Sequence, residues 1–141
     1  MTSSLLLTQA RQERQAGRDQ NAAVYYRQLL DVPEWRQEAQ DFLLQLGMKS
    51  GNYADVVYLL EVMISGANAK VQQHLLLGQA LQKLTDADPT GTALSDIVKR
   101  LPFAYSSRLI LGRLKEVRGD VAQAMRDYLV AINTANGKGY W

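Results

Sequence analysis

Apolar residues recur along this chain at the three- and four-residue spacing of amphipathic helices, and polar turn signals interrupt that spacing at regular places. No stretch of the sequence shows the alternation of apolar and polar residues that is typical of a strand. The pattern therefore predicts an all-α fold of eight helices. The predicted helices cover approximately residues 5–16, 21–30, 35–48, 53–64, 68–84, 93–98, 105–118 and 121–132.

A residue register repeats every 34 positions and groups the predicted helices into pairs. A fixed period of this length is typical of repeat architectures, in which each unit buries its apolar face by stacking on its neighbours. The sequence thus predicts a single domain over residues 1–141, with repeats at approximately 3–34, 35–68, 69–102 and 103–136. The register positions in the first helices of the four pairs are Ala10, Leu44, Gly78 and Gly112.

Three short motifs keep the same register. A large apolar residue stands directly before a small one at Leu77–Gly78 and at Leu111–Gly112. A turn glycine precedes an aromatic or aliphatic residue by two positions at Gly51–Tyr53 and Gly119–Val121. A small residue precedes an aromatic one by four positions in the second helix of the first pair, at Ala22–Tyr26. Each motif places a contact or a turn at an equivalent point of successive helix pairs.

With these motifs, nearly the whole chain resembles the tetratricopeptide repeat (TPR) family, whose unit is a helix-turn-helix of about 34 residues. The resemblance implies a right-handed α-solenoid of about four stacked repeats, with the third repeat degenerate in its second half. It also implies that a peptide or partner protein binds in the concave groove formed by the first helices. The lysine, asparagine and arginine clamp of repeat domains that hold chaperone tails is not matched, so we do not expect that partner.

Glycine and turn residues lead to further expectations. A glycine inside a helix costs about 1 kcal/mol relative to alanine, so Gly78 and Gly112 are expected where two helices approach closely. We then expect Gly112→Leu to destabilise the fold by about 1–3 kcal/mol through overpacking. The polar segment 85–92 predicts a long turn with Thr92 as the N-cap of a short, weak helix. The apolar set of the seventh helix is Tyr105, Leu109, Leu111, Gly112 and Leu114.

Composition narrows the class of protein. The chain has 141 residues, of which 47% are hydrophobic, and a formal net charge of +2, so it predicts a packed domain without a field that favours nucleic acid or membrane surfaces. It has no cysteine, which excludes disulfides and sulfur-bound zinc. Because its first residues contain only a three-leucine apolar run, we expect neither a signal peptide nor a membrane anchor, and we predict a cytoplasmic protein.

No constellation of residues indicates catalysis or a cofactor. His74 is the only histidine, so a transition-metal site lacks ligands, and a buried structural role or a groove position is a simpler interpretation. Asp86, Asp88 and Asp96 lack the ordered ligand series of a calcium loop and are better explained by turns and caps. We therefore predict a protein that is not an enzyme and that needs no metal or cofactor.

A polar set follows the register and is the candidate binding surface. Arginine or glutamine stands directly after each register position, and lysines follow four residues later on two of the helices. Amide and basic groups suit hydrogen bonds to a peptide backbone and contacts to an acidic side chain or a free carboxylate. A helix face that is simply solvated explains the same residues about as well. The predicted groove residues are Leu7, Arg11, Asp41, Gln45, Met48, Lys49, Leu75, Gln79, Gln82, Lys83, Leu109 and Arg113.

The leading functional hypothesis is a scaffold or adaptor that binds a peptide or partner protein. An alternative is the amino-terminal repeat module of a larger enzyme whose catalytic domain is not in this chain. A third is self-association, because Met125, Leu129 and Ile132 give the last predicted helix an apolar side that no later helix covers. That side is expected to contact a second copy of the chain or a downstream domain.

Overall fold

The computed structural model describes residues 2–66, 69–116, 123, 126 and 127. These residues are all-helical, and no strand occurs among them. Seven of the eight predicted helices lie within this part of the chain, so the all-α class is confirmed there. The helices are α1 (Ser3–Gln15), α2 (Asp19–Leu29), α3 (Arg36–Ser50), α4 (Tyr53–Ile64), α5 (Val71–Ala87), α6 (Thr92–Arg100) and α7 (Tyr105–Glu116).

Local signals fix several helix ends. Thr2 is the N-cap of α1, and its Oγ1 accepts a hydrogen bond of 3.2 Å from the backbone N–H of Leu5. Gly51 ends α3 in the left-handed region, at a φ of 81°, where a side chain would be strained. Asn52 then occupies the N-cap position of α4. The turn at Gly51 and Asn52 lies where the sequence predicts it, whereas α1 begins two residues before the predicted start at residue 5.

The chain divides into two compact units between Gly51 and Asn52. Unit 1 contains α1, α2 and α3, and α2 packs against both of the others. The rings of Tyr26 and Phe42 lie at the centre of this core, with their centroids 4.6 Å apart and their planes at 33°. Such tilted aromatic pairs add packing energy beyond the burial of their area. The buried core residues of unit 1 are Leu6, Leu7, Ala10, Ala22, Ala23, Tyr26, Leu29, Ala39 and Phe42.

Unit 2 is organised around α4. This helix packs against α5, α6 and α7, and α6 also packs against α7. Its side chains are the most apolar among the described helices, yet the buried face includes the carboxyl of Glu61. The buried apolar residues of unit 2 are Val56, Val57, Leu60, Leu77, Ala80, Leu81, Leu84, Leu94, Ile97, Leu101, Ala104, Ile110 and Leu111.

The third predicted helix pair differs from the expectation. Helix α5 continues to Ala87, inside the predicted turn, and the close packing of α6 is with α4 and α7. Thr92 is the first residue of α6 and not its cap. Gly91 occupies the N-cap position, and Oδ2 of Asp88 accepts a hydrogen bond of 2.9 Å from the backbone N–H of Ala93 in the first turn of α6. A carboxylate at this end of a helix also interacts favourably with the helix dipole.

The register is buried in three helices and exposed in the fourth. Ala10, Leu44 and Gly78 are buried, as expected for contact points between helices. Gly112 is exposed, and outside its own helix no described atom lies within 4 Å of the position that a Cβ would take. The predicted partner helix of the fourth pair lies mostly outside the described residues. The close contact expected at Gly112, and the overpacking expected for Gly112→Leu, therefore stay predictions.

The apolar face of α7 is also rotated relative to the prediction. Its buried residues are Ser106, Ser107, Ile110 and Leu111, whereas Tyr105 is exposed. The buried Ser107 makes a polar contact, described below, which the spacing of apolar residues does not reveal.

The predicted last helix lies mostly outside the described residues. Only Gln123, Arg126 and Asp127 of it are described; they are helical and exposed. The apolar set Met125, Leu129 and Ile132, with its expected contact to a second copy or a downstream domain, lies outside the described residues. Among the helices that are described, none combines the length and apolar character needed to cross a lipid bilayer.

Candidate functional site

In unit 1, the predicted groove residues separate into exposed and buried ones. Arg11, Asp41 and Gln45 are exposed on α1 and α3, and Met48 is half-buried. Leu7 is only 7% exposed because it points into the core of unit 1. Its assignment to the groove is therefore wrong, and its burial follows from the same helical spacing that makes Ala10 a core residue.

Arg11 is held in place by a carboxylate of α3. Its Nη2 donates to Oε1 of Glu38 at 2.6 Å, and its Nε donates to Oε2 at 3.1 Å. The hydroxyl of Tyr26 donates to the same Oε2 at 2.8 Å. The hydrogen bond from Arg11 is the main reason that the pKa of Glu38 lies below its usual value, and the bond from Tyr26 acts in the same direction. Such a two-pronged pair fixes α1 and α3 at a defined register.

Arg14 occupies the centre of the surface next to this pair. Its guanidinium lies over the ring of Phe42, with 5.2 Å from Cζ to the ring centroid, a geometry that favours a cation. It lines two pockets, with volumes of about 510 and 270 Å³. Arg14 interacts with the hydroxyl of Tyr26 and, electrostatically, with Glu38, but it forms no direct salt bridge with an acid among the described residues. Its charge is therefore only partly compensated, so the guanidinium can still bind an anionic group.

The remaining polar residues of unit 1 border the smaller pocket. Gln45 and Lys49 line it together with Asp19 and Phe42. The Nζ of Lys49 lies 3.8 Å from Oδ2 of Asp19, at the outer limit of an ion pair, and such exposed pairs contribute little stability. Lys49 can therefore change partner at small cost. We name the α1–α3 surface by its residues Arg11, Arg14, Gln15, Glu38, Phe42, Gln45 and Lys49.

In unit 2, the predicted groove residues lie on two helices. The four on α5 are exposed, Leu109 on α7 is half-buried, and Nη1 of Arg113 lies 3.5 Å from Oε2 of Glu116 on the same helix. An exposed pair within one helix adds at most a few tenths of a kcal/mol. Among the described contacts, these residues line no pocket comparable to the two that Arg14 lines, and they form no ion pair comparable to that of Arg11 and Glu38. The four predicted groove residues on α5 are Leu75, Gln79, Gln82 and Lys83.

Sequence reasoning missed a buried carboxylate in unit 2. Glu61 of α4 is 3% exposed, and its Oε1 accepts hydrogen bonds of 3.0 Å from both the backbone N–H and the Oγ of Ser107. The bond to the backbone satisfies one of the free N–H groups in the first turn of α7, a role that an N-cap side chain usually fills. Burial raises the pKa of Glu61, although both bonds from Ser107 oppose this. The available signal was an acid flanked by apolar residues in the second half of an apolar helix.

His74 lies in the same part of unit 2. It is 3% exposed, and burial lowers the pKa of its imidazole. The structure therefore agrees with the interpretation of His74 as a buried residue of α5. Together with Glu61 it lines a cavity of about 320 Å³. No group of three or more histidine, aspartate or glutamate side chains that could share a metal ion occurs in the described part of the chain.

Comparisons of the chain with protein-family models, with curated proteins and with solved structures each returned no match. The side-chain contacts and pockets of the two units are therefore the basis of the proposed function.

Proposed function

We propose that this chain is a TPR-like helical repeat module, a solenoid of helix pairs that binds a peptide or partner protein. Support for the repeat comes from its register: a buried residue is followed directly by an exposed polar one at Ala10–Arg11, at Leu44–Gln45 and at Gly78–Gln79. Unrelated helices have no reason to repeat this step at a fixed interval of 34 residues. Each helix thereby presents a polar group beside a packing contact, as a repeat scaffold requires.

The observation that carries the binding proposal is that Arg14 lines two pockets of the α1–α3 surface. Arg11 is already held by Glu38, so it serves to position the helices, whereas Arg14 lies over a ring and lines two pockets. A guanidinium fixed by an aromatic ring loses little freedom when it binds a carboxylate. Gln45 adds an amide that can bond to a peptide backbone.

Charge favours an acidic ligand at this surface. Arg11, Arg14 and Lys49 contribute three positive charges, and Glu38 and Asp19 contribute two negative ones. The local excess is thus one positive charge, and it is carried by the residue without an ion pair. We therefore propose that the bound segment presents an acidic side chain or a free C-terminal carboxylate to Arg14.

The test is a peptide array with acidic, neutral and basic sets, each made with a free and an amidated C terminus. We expect the acidic set, or the set with free carboxylates, to bind the wild-type chain. Arg14→Gln should weaken this binding about tenfold or more, because a hydrogen bond to a charged group contributes about 1.5–3 kcal/mol.

Arg27→Gln is the matched control. Arg27 is exposed on α2 of the same unit and lines neither Arg14 pocket, so its replacement removes the same charge elsewhere. We expect it to change binding about twofold or less, since only long-range attraction is lost. Equal losses of peptide binding in the two variants would show that only net charge matters and would contradict the assignment of Arg14 to the binding site. An array on which no peptide set is preferred would overturn the binding proposal itself.

A further inference from the structure

A second, separate cavity in unit 2 has the lining of a binding site. It has a volume of about 320 Å³ and lies where the end of α4 meets the start of α7. This volume falls within the range of small-molecule and side-chain pockets. The lining groups that matter for its chemistry are Glu61, Ile64, His74, Phe103, Tyr105 and Ser106.

Glu61 offers this cavity one carboxylate oxygen. Both hydrogen bonds that the described residues donate to its carboxyl end on Oε1, from the backbone and side chain of Ser107. The position of Oε1 is thereby fixed, while Oε2 retains its capacity to accept. A buried carboxylate that is held at one oxygen and can still accept a hydrogen bond at the other strongly prefers a cationic donor. Without such a donor, the cost of removing its charge from water is not compensated.

The other lining groups also suit a cation. None of the cavity's described lining residues is lysine or arginine, so no resident cation competes for Glu61. The imidazole of His74 is disfavoured as a cation by its burial, which lowers its pKa. Phe103 and Tyr105 are 49% and 61% exposed although they are large aromatic residues, and they lie at the same cavity. Aromatic faces attract cations, and exposed rings beside a buried acid are an expensive arrangement without a ligand.

We infer that this cavity binds a primary ammonium group carried on an alkyl chain, as in the lysine side chain of a partner. Ile64 and the two aromatic rings would contact the alkyl chain, and the ammonium would donate to Oε2 of Glu61. A guanidinium fits less well, because its planar fork is matched by two carboxylate oxygens and Oε1 is already occupied by Ser107. An anion would face the carboxyl of Glu61. This inference concerns unit 2 alone and is independent of the Arg14 surface.

The experiment uses small probes and the whole chain. N-acetyl-lysine methylamide is titrated against isotope-labelled protein at pH 8, and the resonances of Ile64 and His74 report on the cavity. Two further probes are compared with it. N-acetyl-norleucine methylamide keeps the four-carbon side chain but lacks the ammonium, and N-acetyl-arginine methylamide carries a guanidinium. A linear alkyl diamine is titrated as well, to distinguish a small free amine from a lysine side chain as the ligand of the cavity. We expect the lysine probe to bind more tightly than the norleucine and arginine probes.

Glu61→Gln is the decisive variant. The amide oxygen of glutamine can still accept both hydrogen bonds from Ser107, so the fold is retained while the charge is lost. We expect the lysine probe to bind this variant about tenfold or more weakly, from the loss of a charged hydrogen bond. Phe103→Leu should weaken binding about two- to fivefold, from the loss of the ring face.

Asp55→Asn is the control for net charge. Asp55 is exposed on the first turn of the same helix and lines no part of this cavity, so we expect its probe affinity to match the wild type. The inference is overturned if the norleucine probe binds as well as the lysine probe, if Glu61→Gln leaves the affinity unchanged, or if no probe shifts the resonances of Ile64 and His74. Arg14→Gln should leave the lysine titration unchanged, which separates this site from the peptide surface.

Discussion

Glu38 in unit 1 and Glu61 in unit 2 are the same chemical group in two opposite environments. Each accepts hydrogen bonds from a neighbouring helix, and each thereby connects two helices. Glu38 lies at the surface beside the guanidinium of Arg11, and its pKa is lowered mainly by that hydrogen bond. Glu61 is buried beside the neutral Ser107, and its pKa is raised by desolvation. The charged donor beside Glu38 and the burial of Glu61, and not the number of hydrogen bonds, thus set the opposite directions of the two pKa shifts.

The difference separates a positioning role from a binding role. The charge of Glu38 is already neutralised by Arg11, so the pair orders α1 and α3 and leaves Arg14 as the group that a ligand can reach. The carboxyl of Glu61 has no cation among the described residues, so in that part of the chain a positive ligand has no internal competitor. The same comparison thus underlies both proposals, an acidic ligand for unit 1 and a basic ligand for unit 2.

The largest expected effect is on unit 2. Glu61→Ala leaves the backbone N–H and the hydroxyl of the fully buried Ser107 without their acceptor, and we expect a loss of about 2–3 kcal/mol in the free energy of unfolding. Urea denaturation followed by circular dichroism measures it. Glu61→Gln should stay close to the wild type because an acceptor remains. A loss below about 0.5 kcal/mol for the alanine variant would show that Ser107 is satisfied by water or by another group.

The second effect compares equivalent register positions in the two units. Ala10 is completely buried, so Ala10→Leu should destabilise the protein by about 1–3 kcal/mol through overpacking. Outside its own helix, no described atom lies near a Cβ at Gly112, so on these contacts alone Gly112→Leu should be neutral or stabilising by up to about 1 kcal/mol, since leucine is the better helix former. Thermal melts of both variants measure the contrast. Destabilisation of the Gly112 variant comparable to that of the Ala10 variant would instead support the repeat contact that the sequence predicts.

A smaller effect is expected at the surface carboxylate. Glu38→Ala removes the acceptor of the Tyr26 hydroxyl and the partner of Arg11, and we expect a loss of about 0.5–1 kcal/mol, because the pair is largely exposed. Urea denaturation at low and high salt measures it, and salt should reduce the difference from the wild type. A loss as large as that of Glu61→Ala would contradict the distinction between the two carboxylates.

The most subtle effect is the pH dependence, which should have opposite signs for the two carboxylates. The lowered pKa of Glu38 contributes stability that is present above its ordinary value of 4.5 and is lost as pH falls through its lower folded value. The raised pKa of Glu61 means that the folded state retains a proton that the unfolded state has released, so its contribution is lost as pH rises from 4.5 through its higher folded value.

The pH prediction is measured as the difference in unfolding free energy between the wild type and each glutamine variant from pH 3 to pH 8. Relative to Glu38→Gln, the wild type should gain stability as pH rises through the acidic range. Relative to Glu61→Gln, it should lose stability as pH rises above 4.5. His74 does not enter these differences, because it is present in every protein compared. Parallel slopes in the two comparisons would refute the assignment of opposite environments.

The helices could be predicted from the sequence because their determinants are local. Helix α4 begins and ends where its spacing and its flanking Gly51, Asn52 and Ser65 predict it. The change from the buried Ala10 to the exposed Arg11 also follows from helical spacing alone.

The polar contacts could not be predicted, because each joins residues that are distant in the chain. Ser107 pairs with a carboxyl 46 residues earlier, and on the helix that makes this contact Ser107 is buried while Gly112 is exposed. A hydrophobic pattern counts a buried serine as a surface residue and therefore misplaces the face. In the same way, the pairing of Arg11 with a carboxylate 27 residues away removed it from the candidate ligand groups and left Arg14, which follows no register, in its place.

The left-handed turn at Gly51 has a practical consequence for experiments with this protein. Gly51 and Asn52 are exposed, and the division between the two units falls between them in the chain. Inserted flexible residues at this peptide bond would lie inside neither sequence segment that supplies a core, since the core residues of unit 1 precede it and the described core residues of unit 2 follow it. The bond is therefore a suitable place to insert a short tag or a fluorescent label.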